Sequence, residues 1–381
     1  MQPPRAARPR LAGLDIFRGL AVAGMILVNT PGSWSHLWWP LDHAEWHGWT
    51  PTDLVFPAFL FAVGVALALS FPRKVDGATW VKIARRTLLL IAIGWGLQLI
   101  ARPDLANFRI PGVLQRIGLC YALAASLAIL TASTLADGRR VLRPGAILAA
   151  AVVAFLVYWA LLVLVPVPGY GPGQLSPEGN LAGYIDRALL TTAHIWSGGT
   201  DAAGNVVYDP EGLLSTIPAL ANVLFGMLAA IAWQRAPERA TLRIALAGAA
   251  LVAIGLLLHP LLPINKKLWT SSFALFTSGS SALLLALCML ATRGGTIPRL
   301  LAPLHMLGMN AILGYVLSVL IGIAGFRLFI GTESVQAWGF ARLNAVIPDP
   351  YAASFTYALI ALAIVLAALV PFHRRGIHLR L

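Results

Sequence analysis

The sequence predicts an all-α fold: a polytopic membrane helical bundle of about ten transmembrane helices with a long loop on the outer, periplasmic side. Three observations predict it. Of 381 residues 58% are hydrophobic and 11% charged, and the mean hydropathy is +0.77, more apolar surface than a soluble domain can bury. The apolar residues fall into ten stretches near 14–30, 54–71, 83–101, 112–134, 145–166, 213–233, 242–262, 268–291, 300–322 and 353–372, lengths that suit a bilayer core of roughly 30 Å. With the N-terminus inside, nineteen of the 28 Lys and Arg lie in inner segments and seven in outer ones, while eleven of the fifteen acids lie outside. That is the positive-inside pattern, and it puts both termini in the cytoplasm. The net charge of +13 is then an inner-face excess facing membrane lipid, with no call for nucleic acid as a partner.

Taken in order, the chain reads as one domain, residues 1–381, opening with a cytoplasmic tail over residues 1–13. The first span carries Asp15, Arg18 and Asn29 on nearly one face at 3.6 residues per turn. Such a stripe either neutralises itself at the membrane entry or faces a wet cavity. No cleavage site follows, so the segment stays as a span. The loop from Asn29 to Thr50 then holds three His and five Trp. Tryptophan suits a membrane interface, whereas histidine exchanges protons near neutral pH, and His43 has Asp42 and Glu45 close in sequence. Thr50-Pro51-Thr52-Asp53 reads as a helix start. Asp53 is explained as a cap, and it lies near enough to His43 to orient the ring.

Further along, Gln115 and Arg116 sit one turn inside the fourth span and read as a buried pair aimed at the cavity. The segment from Val167 to Gly212 reads as a lid without a core-sized apolar run, partly helical around Leu181 to Thr192. Asp209-Pro210-Glu211 places acids at the start of the sixth span, with Asp209 read as a cap. Lys266, Lys267 and Trp269 form an outer turn where two lysines run against the charge rule; an anionic or hydroxylated ligand or interfacial anchoring explains them equally. His305 lies near the inner end of the ninth span and Asn310 deeper. The stretch Phe326 to Ala341 is too short and polar to cross and reads as an interfacial helix. Cys120 and Cys288 both fall in apolar spans, which suits packing and excludes a disulfide framework. No zinc-ligand spacing, phosphate-cradling loop or nucleophile elbow occurs, so no metal is expected and any cofactor site must be built between helices.

These residues carry a family resemblance. Leu14-Asp15-x-x-Arg18-Gly19, Val28-Asn29, Asp42-His43-Ala44-x-Trp46-x-Gly48-x-Thr50 and Asp53-Leu54-Val55-Phe56-Pro57 together resemble the catalytic domain of heparan-α-glucosaminide N-acetyltransferase and its bacterial relatives. The resemblance continues at Arg109 to Gly118, Tyr208 to Ile217, Ile264 to Trp269 and Gly308 to Ile312, nearly the whole chain. It implies an acetyl-CoA-dependent N-acetyltransferase with His43 catalytic and Asn29 beside it. On this basis Asp15, Arg18, Gln115, Arg116 and Asn310 are candidate cofactor residues, and Asp53, Trp46, Glu211, Lys266 and Trp269 candidate substrate residues. The expected acceptor is an amino sugar or glycan in a bacterial inner membrane, with a homodimer as the assembly. A transporter or flippase and a membrane O-acyltransferase are the alternatives; the absence of two-half repetition weighs against transport.

Overall fold

The computed structural model describes residues 11–294 and 296–377. Most of the 1–13 tail lies outside these residues, as do Arg5, Arg8, Arg10 and Arg380 of the charge count. The helices are α1 Ala12–Asn29, α2 Val55–Leu69, α3 Gly77–Ala101, α4 Val113–Thr131, α5 Pro144–Leu164, α6 Leu181–Leu190, α7 Thr216–Arg235, α8 Pro237–Leu258, α9 Ser271–Ala291, α10 Ala302–Met309, α11 Ala311–Arg327, α12 Val335–Val346 and α13 Pro350–Arg374. Among the described residues nine helices are long and apolar enough to cross a membrane, and α10 with α11 forms a tenth, broken span. The protein is therefore a multi-pass membrane helical bundle.

Local chemistry accounts for the boundaries. The Asp76 carboxylate accepts the Thr79 N–H at 2.9 Å and so starts α3 well before the apolar run. Thr270, Ser334 and Asp349 cap α9, α12 and α13 in the same way. Proline stands in the first turn of α5, α8 and α13, where its missing N–H costs nothing.

Loop hydrogen bonds divide the connections into two ends. At one end, Gly48 N–H donates to Ile264 at 2.7 Å, Ile110 N–H to His194 at 2.9 Å and Gly32 N–H to Ser354 at 3.1 Å. The Gln336 amide reaches the Pro31 carbonyl at 2.6 Å. At the other end, Arg140 N–H donates to Arg73 at 2.8 Å, joining a short hairpin of Ser133–Thr134 and Arg140–Val141 to the α2–α3 connection. The first group comprises segments assigned to a common side by the charge pattern, so the alternation of spans holds.

The core runs through α1, α2, α4, α7 and α9, whose facing residues are small. A Cβ on Gly64 would lie 1.8 Å from the Val223 carbonyl oxygen, and one on Gly308 would lie 1.6 Å from that of Asp15. The backbones of α2 and α7, and of α1 and α10, meet at distances only glycine permits.

Two expectations need correction. The ninth span is not continuous: α10 and α11 meet at 85°, because Asn310 ends one helix with φ −121° and ψ 35° while its amide donates to the Met306 carbonyl at 3.2 Å. Gly308 places α10 across the start of α1, and Gly314 and Gly322 place α11 beside Val22 and Thr30. The stretch Phe326 to Ala341 is not one helix; it holds the end of α11, a hairpin of Phe329–Ile330 with Glu333–Ser334, and the start of α12. Gly331 at φ +66° makes that turn.

Candidate active site

The loop after α1 is organised by Asp53. This carboxylate, 1% exposed, lies in the turn Pro51–Leu54 before α2. Its Oδ2 accepts the N–H groups of Thr50 at 3.0 Å and Ala44 at 3.1 Å. Its Oδ1 lies 2.7 Å from His43 Nδ1. Asp53 is both a cap and the residue that orients His43. The Thr50 hydroxyl lies within hydrogen-bond reach of the Asp42 carbonyl, at 2.6 Å, and the Asp42 carboxylate accepts the His43 N–H at 2.7 Å.

A carboxylate only accepts, so in this bond Nδ1 carries the hydrogen and Nε2 is left as the ring's acceptor. Lys266, from the turn between α8 and α9, brings Nζ to 3.0 Å from Nδ1 and 3.1 Å from Nε2, and to 3.6 Å from Asp53 Oδ1. Nearly equidistant from both nitrogens, the ammonium lies over the face of the ring, and the in-plane lone pair of Nε2 stays open. The His43 side chain keeps 39% of its surface accessible. Crowding by surrounding protein lowers its pKa below 6.5, the Lys266 charge lowers it further, and Asp53 opposes both. Burial likewise pulls the Lys266 ammonium below its ordinary value against the attraction of Asp53 and Glu211.

Glu211 is held by Arg109, whose Nη2 lies 2.5 Å from it, while the same guanidinium grips Asp209 through Nε at 2.8 Å and Nη2 at 2.6 Å. Asp209 does not cap α7, which starts seven residues later; it accepts Trp196 and Glu211 N–H groups at 2.8 Å. Trp46 donates its indole N–H to Leu175 in the lid at 2.8 Å and packs edge-on against Tyr208, ring centroids 4.9 Å apart. Lys267 stands over both rings and donates to the Glu45 carbonyl. Val167 and Leu181 of the lid form a small apolar cluster with Tyr158 and Leu162 of α5, which the sequence did not show.

The remaining candidates separate. Asn29 ends α1 at this end of the bundle, exposed, with no hydrogen bond to His43 among the described residues. Asp15 and Arg18 lie 3.7 Å apart at the far end of α1, with His305 Nε2 3.9 Å from Asp15. Gln115 and Arg116 do not form a pair, since successive helical side chains point about 100° apart. Gln115 fills the gap at Gly94 of α3. Arg116, 1% exposed, donates to the Gly212 carbonyl at 2.7 Å and Ser215 at 2.5 Å, and lies 5.1 Å over the Trp269 ring. Trp269 is wholly buried rather than displayed: its N–H donates to Asn222 at 2.9 Å, and its φ is +54°. Asn310 is also fully buried, its carbonyl oxygen unpartnered among the described residues.

Sequence reasoning missed Asn222, which gathers Trp269, Thr277 and Ser278 in the core; an asparagine in an apolar span was the available signal. It also left Asp186 unassigned. Burial pushes that carboxyl up to about 7, partly offset by the Leu213 N–H it accepts. His36 and His47 have other surroundings: His36 stacks on Phe340, and His47 lies 3.3 Å from the Asn265 amide.

The family model described as "Heparan-alpha-glucosaminide N-acetyltransferase, catalytic" matches residues 10–167, which include Asn29, His43 and Asp53. The chain is 32% identical over 362 residues to the Homo sapiens protein named heparan-alpha-glucosaminide N-acetyltransferase, covering 82% of this chain and 53% of that protein. The Mus musculus protein of the same name is 31% identical over 315 residues, covering 71% and 47%. The chain thus spans about half the length of these curated relatives. By these matches the chain belongs to the heparan-α-glucosaminide N-acetyltransferase family.

Proposed function

We propose that the protein is a transmembrane N-acetyltransferase that moves an acetyl group from cytoplasmic acetyl-CoA to an amino sugar or glycan at the opposite face. The bond from Asp53 to His43 carries the reading. It leaves Nε2 as a proton acceptor at a mouth lined by Trp46 and Tyr208. His43 takes a proton from the acceptor's amine, and Asn29, turning from the α1 terminus, donates to the thioester oxygen as charge develops there. The amine nitrogen bonds to the acetyl carbon while the carbon–sulfur bond breaks. Of the two protons lost by the starting ammonium, one passes through His43 to the thiolate and one to solvent. Trp46 supplies an apolar face for a sugar ring, and Glu211 supplies negative charge near an ammonium.

The donor's anionic end suits the arginine-rich end. A cavity of about 660 Å³ there is lined by Arg73, Arg140 and Arg235 beside Ala68, Leu69 and Ile231. Arg140 Nε is buried without a hydrogen-bond partner among the described residues, a donor left for a phosphate. From Ala68 to Asp53 the helix axis rises about 22 Å, so the donor's arm runs extended along α2. Arg18 is paired with Asp15 on α1. With the arginine end in the cytoplasm, both termini are cytoplasmic, as in a bacterial inner membrane, and residues 1–381 act as one catalytic domain with membrane lipid around it.

The test is purified protein in lipid nanodiscs with labelled acetyl-CoA and a panel of amino sugars. The expected result is an N-acetyl sugar with stoichiometric release of the CoA thiol. Neither acetyl transfer nor thiol release with any acceptor would reject the reading.

A further inference from the structure

The turn that carries Glu211 is held from several sides. Arg109 grips Asp209 and Glu211 together. Within the turn, the Glu211 N–H donates to the Asp209 carboxylate at 2.8 Å and the Gly212 N–H to the Asp209 carbonyl at 3.0 Å. Arg116 of α4 donates to the Gly212 carbonyl at 2.7 Å. The remaining hold comes from the lid, where the Asp186 carboxylate of α6 accepts the Leu213 N–H at 2.8 Å. A Cβ on Gly212 would lie 1.8 Å from Asp186 Oδ2, so this carboxyl rests directly on the backbone of the turn. Asp186 is 1% exposed, and its Oδ2 has no hydrogen-bond partner among the described residues. A buried acid with one oxygen unmatched costs free energy, and packing alone does not call for it. The same side of α6 holds the other wall of the mouth. Gly183 comes close enough to the Val207 carbonyl that a Cβ would lie 2.6 Å from it, and Arg187 donates to that carbonyl, next to Tyr208. One lid helix thus reaches both the ring and the charge of the acceptor mouth.

Resting on the acetyltransferase reading, we propose that Asp186 is a positioning residue of the acceptor site: from the lid it fixes the Glu211 turn, and through Glu211 it sets the affinity for an acceptor's ammonium. The Glu211 charge acts on both groups at the reacting centre, His43 and Lys266. Coulomb attraction falls with distance, so a turn free to shift weakens the hold on an ammonium. What Asp186 contributes is an accepting oxygen rather than a charge. Burial pushes its carboxyl up to about 7, with Asp209 adding to the rise and the Leu213 N–H, Arg116 and Arg187 opposing it. Near neutral pH the neutral acid is therefore populated beside the anion, and either form accepts the Leu213 N–H.

The experiment measures acetyl transfer to glucosamine in nanodiscs. Asp186→Ala should raise KM for glucosamine about fivefold or more, the scale of one lost hydrogen bond, while kcat and KM for acetyl-CoA stay within about twofold. Asp186→Asn keeps an accepting oxygen and should recover most of the loss. Glu211→Gln removes the charge itself and should also raise KM for glucosamine. Adding Asp186→Ala to Glu211→Gln should then have no further effect, because two residues acting through one group are not additive. An unchanged KM for glucosamine in Asp186→Ala, or a multiplied loss in the double variant, would overturn the proposal. If Asp186→Ala does not fold, hydrogen exchange of the wild type without acetyl-CoA decides. Coupling between two equilibria is reciprocal, so saturating glucosamine should slow exchange of the Leu213 amide; equal exchange with and without glucosamine overturns the proposal. A wild type that transfers acetyl to no amino sugar would reject the acetyltransferase reading itself, whereas normal wild-type transfer with the contrary Asp186 results rejects only the positioning role.

Discussion

Each end of the bundle brings together an aspartate, a histidine and a cation, yet the two groups are built differently. At the loop-rich end Asp53 lies 2.7 Å from His43, and Lys266 lies 3.1 Å from Nε2. At the other end Asp15 lies 3.7 Å from Arg18 and 3.9 Å from His305. The first aspartate is fixed by two further donors, the N–H groups of Ala44 and Thr50, so its position does not depend on the histidine. The second sits on the first turn of α1, paired at i,i+3, with a side chain 18% exposed, and its contacts are those of a partly exposed ion pair. The same residue types therefore give an oriented base in one place and charge neutralisation in the other. The difference comes from what holds the carboxylate.

The histidines should show the largest contrast. His43→Ala is expected to lower acetyl transfer on the order of 100-fold or more, the usual loss for a general base, while His305→Ala keeps most activity; rates of labelled acetyl transfer read both. Asn29→Ala tests the donor role and should cost on the order of 100-fold in kcat with acetyl-CoA binding preserved, as for other oxyanion donors. Full activity would remove Asn29 from the reaction. Asp53→Asn should cost at least about tenfold, because the ring loses its orienting partner while Nε2 remains. Asp15→Asn is expected to move the rate least, and a loss as large as that of Asp53→Asn would erase the distinction between the ends.

Much of this arrangement was legible in the chain. The spans, their alternation and the helix start at Thr50 to Asp53 follow from hydropathy, charge and capping, which are local. The dual role of Asp53 was legible because His43 lies only ten residues away. The meeting of Lys266 with His43 was not, since 223 residues separate them and only folding brings α8 and α9 under the first loop. Trp269 looked like an interfacial residue because sequence shows its neighbours but not its φ of +54°, which turns the ring inward. Gln115 and Arg116 looked like a pair because adjacency in sequence hides the divergence of side chains around a helix. The break at Asn310 was hidden in an unbroken apolar run, where one asparagine ends α10 by bonding back to Met306.

The central claim is that Asp53 orients His43 while crowding and the Lys266 charge keep the ring a neutral base at pH 7. The most direct measurement is the titration of His43 in the substrate-free protein by NMR of labelled histidine, with His43→Gln identifying the resonance. The ring is crowded and faces Lys266, so its midpoint should lie below 6.5; protonation, and with it loss of the base, comes only as the pH falls through that lowered value. Asp53 raises the pKa, so Asp53→Asn should move the midpoint lower still, and Lys266→Ala should move it up. A midpoint at or above 6.5 in the wild type, or one that Asp53→Asn leaves unchanged, would contradict the account.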